Sequence, residues 1–172
     1  MQIPEGFYKV EYFNPNSAFW LSFKINYPNG SDSLLGNKKK LGGDIFIHGD
    51  TLTIGCLPLT DSLIKEVYWI TLLAHNVAMH EDSASVIPFH IYPAQLTHTN
   101  WIYLQNQYWG NPHKIRLWNS MQGAWQFFEE EHKIPAISID DQGFYQIIFP
   151  KQKPTNQHAY GLPHSGPGQS GG

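Results

Sequence analysis

The chain has 172 residues, of which 41% are hydrophobic, 15% aromatic and 15% charged, and its formal net charge is -3 at neutral pH. That is enough apolar material for one modest core, and the slight negative balance argues against a nucleic-acid partner, which would need a basic face. The single cysteine, Cys56, excludes an internal disulfide, and Met1 leads into strand-like sequence with no signal peptide and no apolar run long enough for a membrane span.

From the start of the chain, Gly6 to Phe13 and Ala18 to Tyr27 are rich in aromatics that partly alternate with polar residues. They predict two neighbouring strands joined by a turn at Asn14-Pro15-Asn16. Asn29-Gly30-Ser31-Asp32 and the stretch from Gly36 to Gly43 read as loops. The second contains Lys38-Lys39-Lys40, whose plain reading is a solvated turn and whose sharper one is contact with an anionic polymer.

Ile45 to Ile47 is a short apolar run that predicts a buried strand with His48 at its end, and Thr53-Ile54-Gly55-Cys56 returns beside it. The cysteine thus follows the histidine by eight residues, which is a layout for a nucleophile and its base. A thiol at its ordinary pKa of about 8.5 is only a few per cent thiolate at neutral pH, so a catalytic cysteine needs an imidazole or a field of backbone amides. Gly55 lets the chain turn so that the amides of Gly55 and Cys56 face a developing oxyanion. Thr53 would orient the loop through its hydroxyl, and the Gly49 carbonyl would fix the tautomer of His48. The plain alternative is a lone cysteine serving as a small buried hydrophobe. A zinc site would have to recruit Asp50, His75 or His80 without a Cys-x-x-Cys or His-x3-His pattern, so no metal is expected.

After Cys56 the pattern turns helical. Thr60 or Asp61 is a suitable cap, and Leu63, Val67, Ile70 and Ala74 recur on one face, which is expected to pack on the sheet, with Tyr68 and Trp69 as core or boundary aromatics. Ile87 to Pro93 predicts a short strand in which Pro88 marks the start or an edge. Beyond Thr97, tryptophan and tyrosine crowd the sequence around one helix expected over 112–132, with Leu117, Met121, Ala124 and Phe128 along its buried face. Glu129-Glu130-Glu131 is the solvated end of that helix. Pro135 to Asp140 and Gly143 to Phe149 alternate around Asp140-Asp141-Gln142-Gly143 and predict a hairpin. From Lys151 the chain is dense in Pro, Gly, Gln, Ser and His and predicts a disordered tail, in which His158 and His164 are not candidate catalytic residues.

Taken in order, Pro4-Glu5-Gly6-Phe7-Tyr8, Asn26-Tyr27-Pro28-Asn29 with Asp32, Gly42-Gly43-Asp44, Ile47-His48-Gly49, Thr53-Ile54-Gly55-Cys56 and Leu59-Thr60-Asp61 make a coherent set. The run from Pro4 to Pro93 resembles the catalytic domain of the YkuD-type L,D-transpeptidase family, in the branch of murein L,D-transpeptidases and lipoprotein-releasing peptidoglycan amidases. The wider family carries a histidine before the Gly-Cys and an arginine or asparagine soon after it, where this chain has Ile54 and Leu57-Pro58.

The resemblance implies an α+β fold that is mainly β, with a β-sandwich-like catalytic core over residues 1–96 lacking the first strands of the family pattern. A helix and hairpin extension over 97–150 would pack on that core, ahead of the tail at 151–172. It also implies acyl transfer from peptidoglycan stem peptides through a Cys56 thioester, with His48 as base and no cofactor, in the periplasm. The acyl group would pass to an amine acceptor, making a cross-link or attaching a protein, or to water, trimming the stem peptide or detaching a murein-linked lipoprotein. The alternative is a catalytically inactive peptidoglycan-binding module.

Overall fold

The computed structural model describes residues 3–37, 41–81 and 86–149. The fold is α+β: a five-stranded sheet, a two-stranded ribbon and four helices among the described residues. The elements are β1 (Gly6–Ser17), β2 (Trp20–Ile25), α1 (Gly30–Leu35), β3 (Phe46–His48), β4 (Leu57–Pro58), α2 (Asp61–Glu81), β5 (Pro88–Ile91), α3 (His98–Tyr108), α4 (Pro112–Glu131), β6 (Ala136–Ile139) and β7 (Tyr145–Ile148).

The large sheet has the order β4-β3-β2-β1-β5. β1 and β2 pair antiparallel, as their alternation predicts, but the turn is not at Asn14-Pro15-Asn16. The ladder continues to Ser17 opposite Trp20, with a register shift between Asn14 and Ser17 that absorbs Pro15, and Trp20 has a left-handed φ of 73°. A bulge lets a strand carry a proline whose missing N–H would break a regular ladder. β5 is the edge strand against β1 and begins at Pro88, the position where that residue costs least.

Asn29 to Asp32, expected as a loop, starts a helix instead. Asn29 caps α1: its side chain accepts the Asp32 amide hydrogen, and the Asp32 carboxylate accepts the Asn29 amide hydrogen. The reciprocal pair satisfies two helix-end donors with an aspartate in the place more often held by glutamate.

α2 lies over the sheet, but on a different face from the one its period predicts. Ile64 and Tyr68 are buried and Leu72 packs beside them, whereas Leu63, Val67, Ile70 and Ala74 face outward, Ile70 with 68% of its surface exposed. The helix is apolar around most of its circumference, so periodicity offers two candidate stripes and only the shape of the sheet chooses between them. Ile64 joins Phe23, Ile25 and Ile47 in the core, where full burial of such a side chain is worth about 1.5–3 kcal/mol.

A second cluster gathers Leu96, Leu104, Trp118, Met121 and Tyr145. It is built by α3, α4 and the ribbon of β6 and β7. α3 was not legible as a helix, because its burial rests on Leu104 with Trp101 beside it, and its clearest signal is the Thr97 hydroxyl accepting the Asn100 amide hydrogen. α4 ends at His132, whose φ of 52° is the left-handed stop of a helix. Its buried face is Trp118, Met121 and Ala124, while Leu117 is only partly buried and Phe128 is exposed. The ribbon turn is held by Asp140, which accepts the amide hydrogens of Gln142 and Phe144, with Gly143 at a φ of 93°. Tyr145 ties this cluster to the large sheet by accepting hydrogen bonds from the Phe7 amide and the Asn29 side chain. The expected tail beyond Lys151 and the run Lys38-Lys39-Lys40 lie outside the described residues.

Candidate functional site

β3 is short and is fixed on both sides. Phe46, Ile47 and His48 pair antiparallel with Lys24, Phe23 and Ser22, and Ile47 and His48 pair in parallel with Leu57 and Pro58. Ile47 and Leu57 both pack into the core. Alternation along an extended chain turns His48, and Cys56 immediately before β4, to the other face.

His48 is 2% exposed and lies beside the Phe19 ring, with 4.7 Å between centroids. Its Nδ1 is 2.5 Å from the carbonyl oxygen of Gly49. A carbonyl only accepts, so Nδ1 carries the hydrogen, and in the neutral ring Nε2 keeps its lone pair. Gly49 is required by contact. A Cβ added there would stand 2.6 Å from the Phe19 carbonyl oxygen and 2.6 Å from Asp61 Oδ1. Its N–H is shared between the carbonyls of Phe19 and Leu21 at 3.0 and 3.1 Å, and the Leu59 amide donates to the His48 carbonyl at 2.7 Å. The histidine backbone is therefore pinned from both flanking strands, β2 and β4.

Between His48 and Cys56 the chain makes an exposed excursion, with Leu52 at 72% and Ile54 at 97% exposure. Asp50 adopts a φ of 63°, and its N–H donates to Asp61 Oδ1 at 2.8 Å. Asp61 is the first residue of α2. Its link to the histidine turn was not read from the sequence, although Thr60-Asp61 already stood among the ordered pieces above.

Thr53 organises the cysteine end. Its hydroxyl accepts the amide hydrogens of Gly55 at 3.1 Å and Cys56 at 2.8 Å, and donates to the Cys56 carbonyl at 3.0 Å. The two amides expected to face an oxyanion are thus bonded to Thr53 in this conformation. Cys56 is a free, partly buried thiol, and its Sγ sits 3.9 Å from the Asp44 carbonyl oxygen. Lys24 holds the Asp44 carboxylate at 3.2 Å and Glu11 at 3.1 Å.

Cys56 lines a cleft of about 380 Å³ with Ile54, Asp44, Leu41 and Tyr27. A second cleft of about 260 Å³, containing Asp32, Ser31 and Glu5, shares Tyr27, Leu41 and Pro4 with it. The two clefts are thus neighbours along those shared residues. The Tyr27 hydroxyl donates to the Leu41 carbonyl, and the Tyr8 hydroxyl reaches both Asp32 oxygens at 3.1 Å. Burial pushes the Asp32 carboxyl up, against the lowering effect of the Asn29 amide and the Tyr8 hydroxyl. Burial, with the nearby Asp32 charge, also raises Tyr8 and Tyr27. The capping spacing of Asn29 and Asp32 is the sequence signal that marks the second cleft.

Among the described residues no group of three or more His, Cys, Asp or Glu is arranged to hold a metal ion, and no helix is long and apolar enough to cross a membrane.

No protein-family model matches the chain. It is similar to proteins named "Putative L,D-transpeptidase YafK" from Escherichia coli K12 and from Escherichia coli O157:H7, each 25% identical over 138 residues, which are 79% of this chain and 51% of the relative. The chain therefore spans about half the length of the curated relatives it matches. A solved structure, that of Bdellovibrio bacteriovorus Bd1075, aligns with 17% identity over 81% of this chain and 59% of that one at a TM-score of 0.37, which is too low to bear on the fold.

Proposed function

We propose that the chain is an L,D-transpeptidase-like acyltransferase acting on peptidoglycan stem peptides in the periplasm, with Cys56 as nucleophile and His48 as base. A sandwich-like catalytic core belongs to the same proposal. The observation that carries it is the 2.5 Å contact of His48 Nδ1 with the Gly49 carbonyl, which in the neutral ring leaves Nε2 as a base on the strand that runs parallel to the return from Cys56. The similarity to the two proteins named as L,D-transpeptidases supports the choice of substrate class.

In this mechanism Nε2 takes the thiol proton and Sγ attacks the carbonyl carbon of the donor peptide bond. The carbonyl π electrons move to oxygen. The Gly55 and Cys56 amides pass from Thr53 to that oxyanion, each good donor being worth roughly 3 to 4 kcal/mol. Collapse breaks the carbon–nitrogen bond, and the imidazolium protonates the departing amine. The thioester is then attacked by an amine, which forms a new amide, or by water, which releases an acid; in both cases His48 accepts a proton from the attacking group and the thiolate is expelled. The cleft lined by Cys56, Tyr27 and Leu41 holds the donor.

Incubating the chain with muropeptides and measuring intact-protein mass tests this directly. A transient acyl adduct on Cys56, with trimmed or exchanged muropeptide products, is expected. Binding of muropeptides with neither adduct nor product would replace the enzyme by a peptidoglycan-binding module.

A further inference from the structure

The peptide group joining Gly49 and Asp50 is engaged at both ends. Its carbonyl faces Nδ1 of His48 at 2.5 Å, and its N–H donates to Oδ1 of Asp61 at 2.8 Å. We propose that Asp61 is a positioning residue for His48, acting through this single peptide group. A carboxylate that accepts from an amide N–H polarises the amide, so its carbonyl becomes a stronger acceptor for the imidazole N–H. The result is a relay of carboxylate, peptide and imidazole in which the orienting carboxylate stands one peptide away from the ring.

Three further observations support the relay. Asp50 has a φ of 63°, a left-handed backbone conformation that aspartate tolerates better than most residues, at the residue whose N–H bonds Asp61. Asp61 opens α2, whose next turn is anchored by Ile64 in the core, so the carboxylate is held by a rigid element. Gly49 has no side chain, and a Cβ there would meet Asp61 Oδ1 at 2.6 Å. The other nearby carboxylates are otherwise engaged: Asp50 with the Thr51 amide at 2.5 Å and Asp44 with Lys24 at 3.2 Å.

The effect on Cys56 rests on the acyltransferase reading above, whereas the effect on the His48 ring does not. The test uses the whole chain and the isosteric variant Asp61→Asn, which keeps an acceptor oxygen and removes the charge. Two quantities are read: the proton resonance of the His48 Nδ1–H, and the iodoacetamide rate of Cys56 across pH. The relay requires Asp61→Asn to move the Nδ1–H resonance upfield, to slow alkylation at neutral pH by about three- to tenfold, and to shift the rate profile to higher pH. In the parent protein the same resonance must follow the titration of the Asp61 carboxyl carbon, a measurement that does not depend on the variant folding. A resonance that ignores both the substitution and the carboxyl titration overturns the relay, even where His48→Ala still slows alkylation. Equal alkylation of the parent and His48→Ala would instead overturn the acyltransferase reading, and the resonance alone would then decide the role of Asp61.

Discussion

The Thr53 hydroxyl accepts the Cys56 amide hydrogen at 2.8 Å and donates to the Cys56 carbonyl at 3.0 Å, so one side chain spans the backbone of the cysteine on both sides. Each such bond contributes about 0.5–1.5 kcal/mol net. Thr53→Ser keeps the hydroxyl and should retain most of the activity, while Thr53→Val should speed hydrogen exchange at the Cys56 amide and lower turnover about tenfold or more. Unchanged exchange at that amide in Thr53→Val would show that the loop is held by something else.

Cys56→Ala and His48→Ala should each remove turnover of muropeptides while far-ultraviolet dichroism stays at the parental level, because nucleophile and base act as a unit. Retention of more than about a tenth of parental turnover in either variant, a barrier change under about 1.4 kcal/mol, is incompatible with the dyad.

A carbapenem presents a strained lactam carbonyl to the same thiolate. Mass spectrometry of the treated chain should show one covalent adduct, absent in Cys56→Ala. If a small alkylator labels Cys56 and the lactam does not, the cleft beside Tyr27 and Leu41 does not hold an acyl donor.

Gly49→Ala should destabilise the protein by about 1–3 kcal/mol, the scale of overpacking against a fixed backbone atom. The contact responsible is the Phe19 carbonyl oxygen, 2.6 Å from the added carbon. Urea unfolding measures it. A midpoint equal to the parent would mean that the turn relaxes freely and that His48 is not pinned by it.

His90 supplies a pH dependence of stability. Burial pushes its pKa from 6.5 down to about 4, and the Phe7 ring stands 4.7 Å away, centroid to centroid. The folded state favours the neutral ring, so between about pH 6.5 and 4 the unfolded chain binds a proton that the folded chain does not. The contribution is complete above the unfolded pKa and is lost as the pH falls toward the folded one, on the order of 3 kcal/mol by the usual conversion. Asp32, whose pKa is raised, acts in the opposite sense. The comparison that isolates the histidine is urea unfolding of parent and His90→Phe at pH 7 and pH 4.5. The parent should lose more stability than the variant on acidification, and equal losses would remove His90 as the cause.

Much of the sheet and the turn chemistry was legible because alternation and punctuation are local signals. The strand at Ile47-His48, the edge at Pro88 and the ribbon around Asp140 follow from them. The buried face of α2 was not legible, since Leu63 and Ile64 are equally apolar and the choice between their stripes is made by Phe23 and Ile47 on the sheet. α1 was hidden by Gly30, which marks a turn in isolation and a helix once Asn29 and Asp32 cap each other. At the candidate site the histidine and cysteine stand out by residue type. The partners that hold them do not, because Asp61, Phe19 and the Gly49 backbone contribute through contact distances rather than through sequence spacing.

Because β3 and β4 are tied in parallel, with the Leu59 amide bonded to the His48 carbonyl, the two feet of the 49–56 excursion are clamped independently of the residues between Asp50 and Thr53. The number of residues between Asp50 and Thr53 is then a free variable, whereas His48-Gly49-Asp50 and the Thr53-to-Leu57 segment, whose contacts hold the histidine and the cysteine, are not. Extra residues inserted between Asp50 and Thr53 would lengthen an exposed loop without moving either foot, so a search that demands a fixed interval between histidine and cysteine would discard sequences able to build the same site.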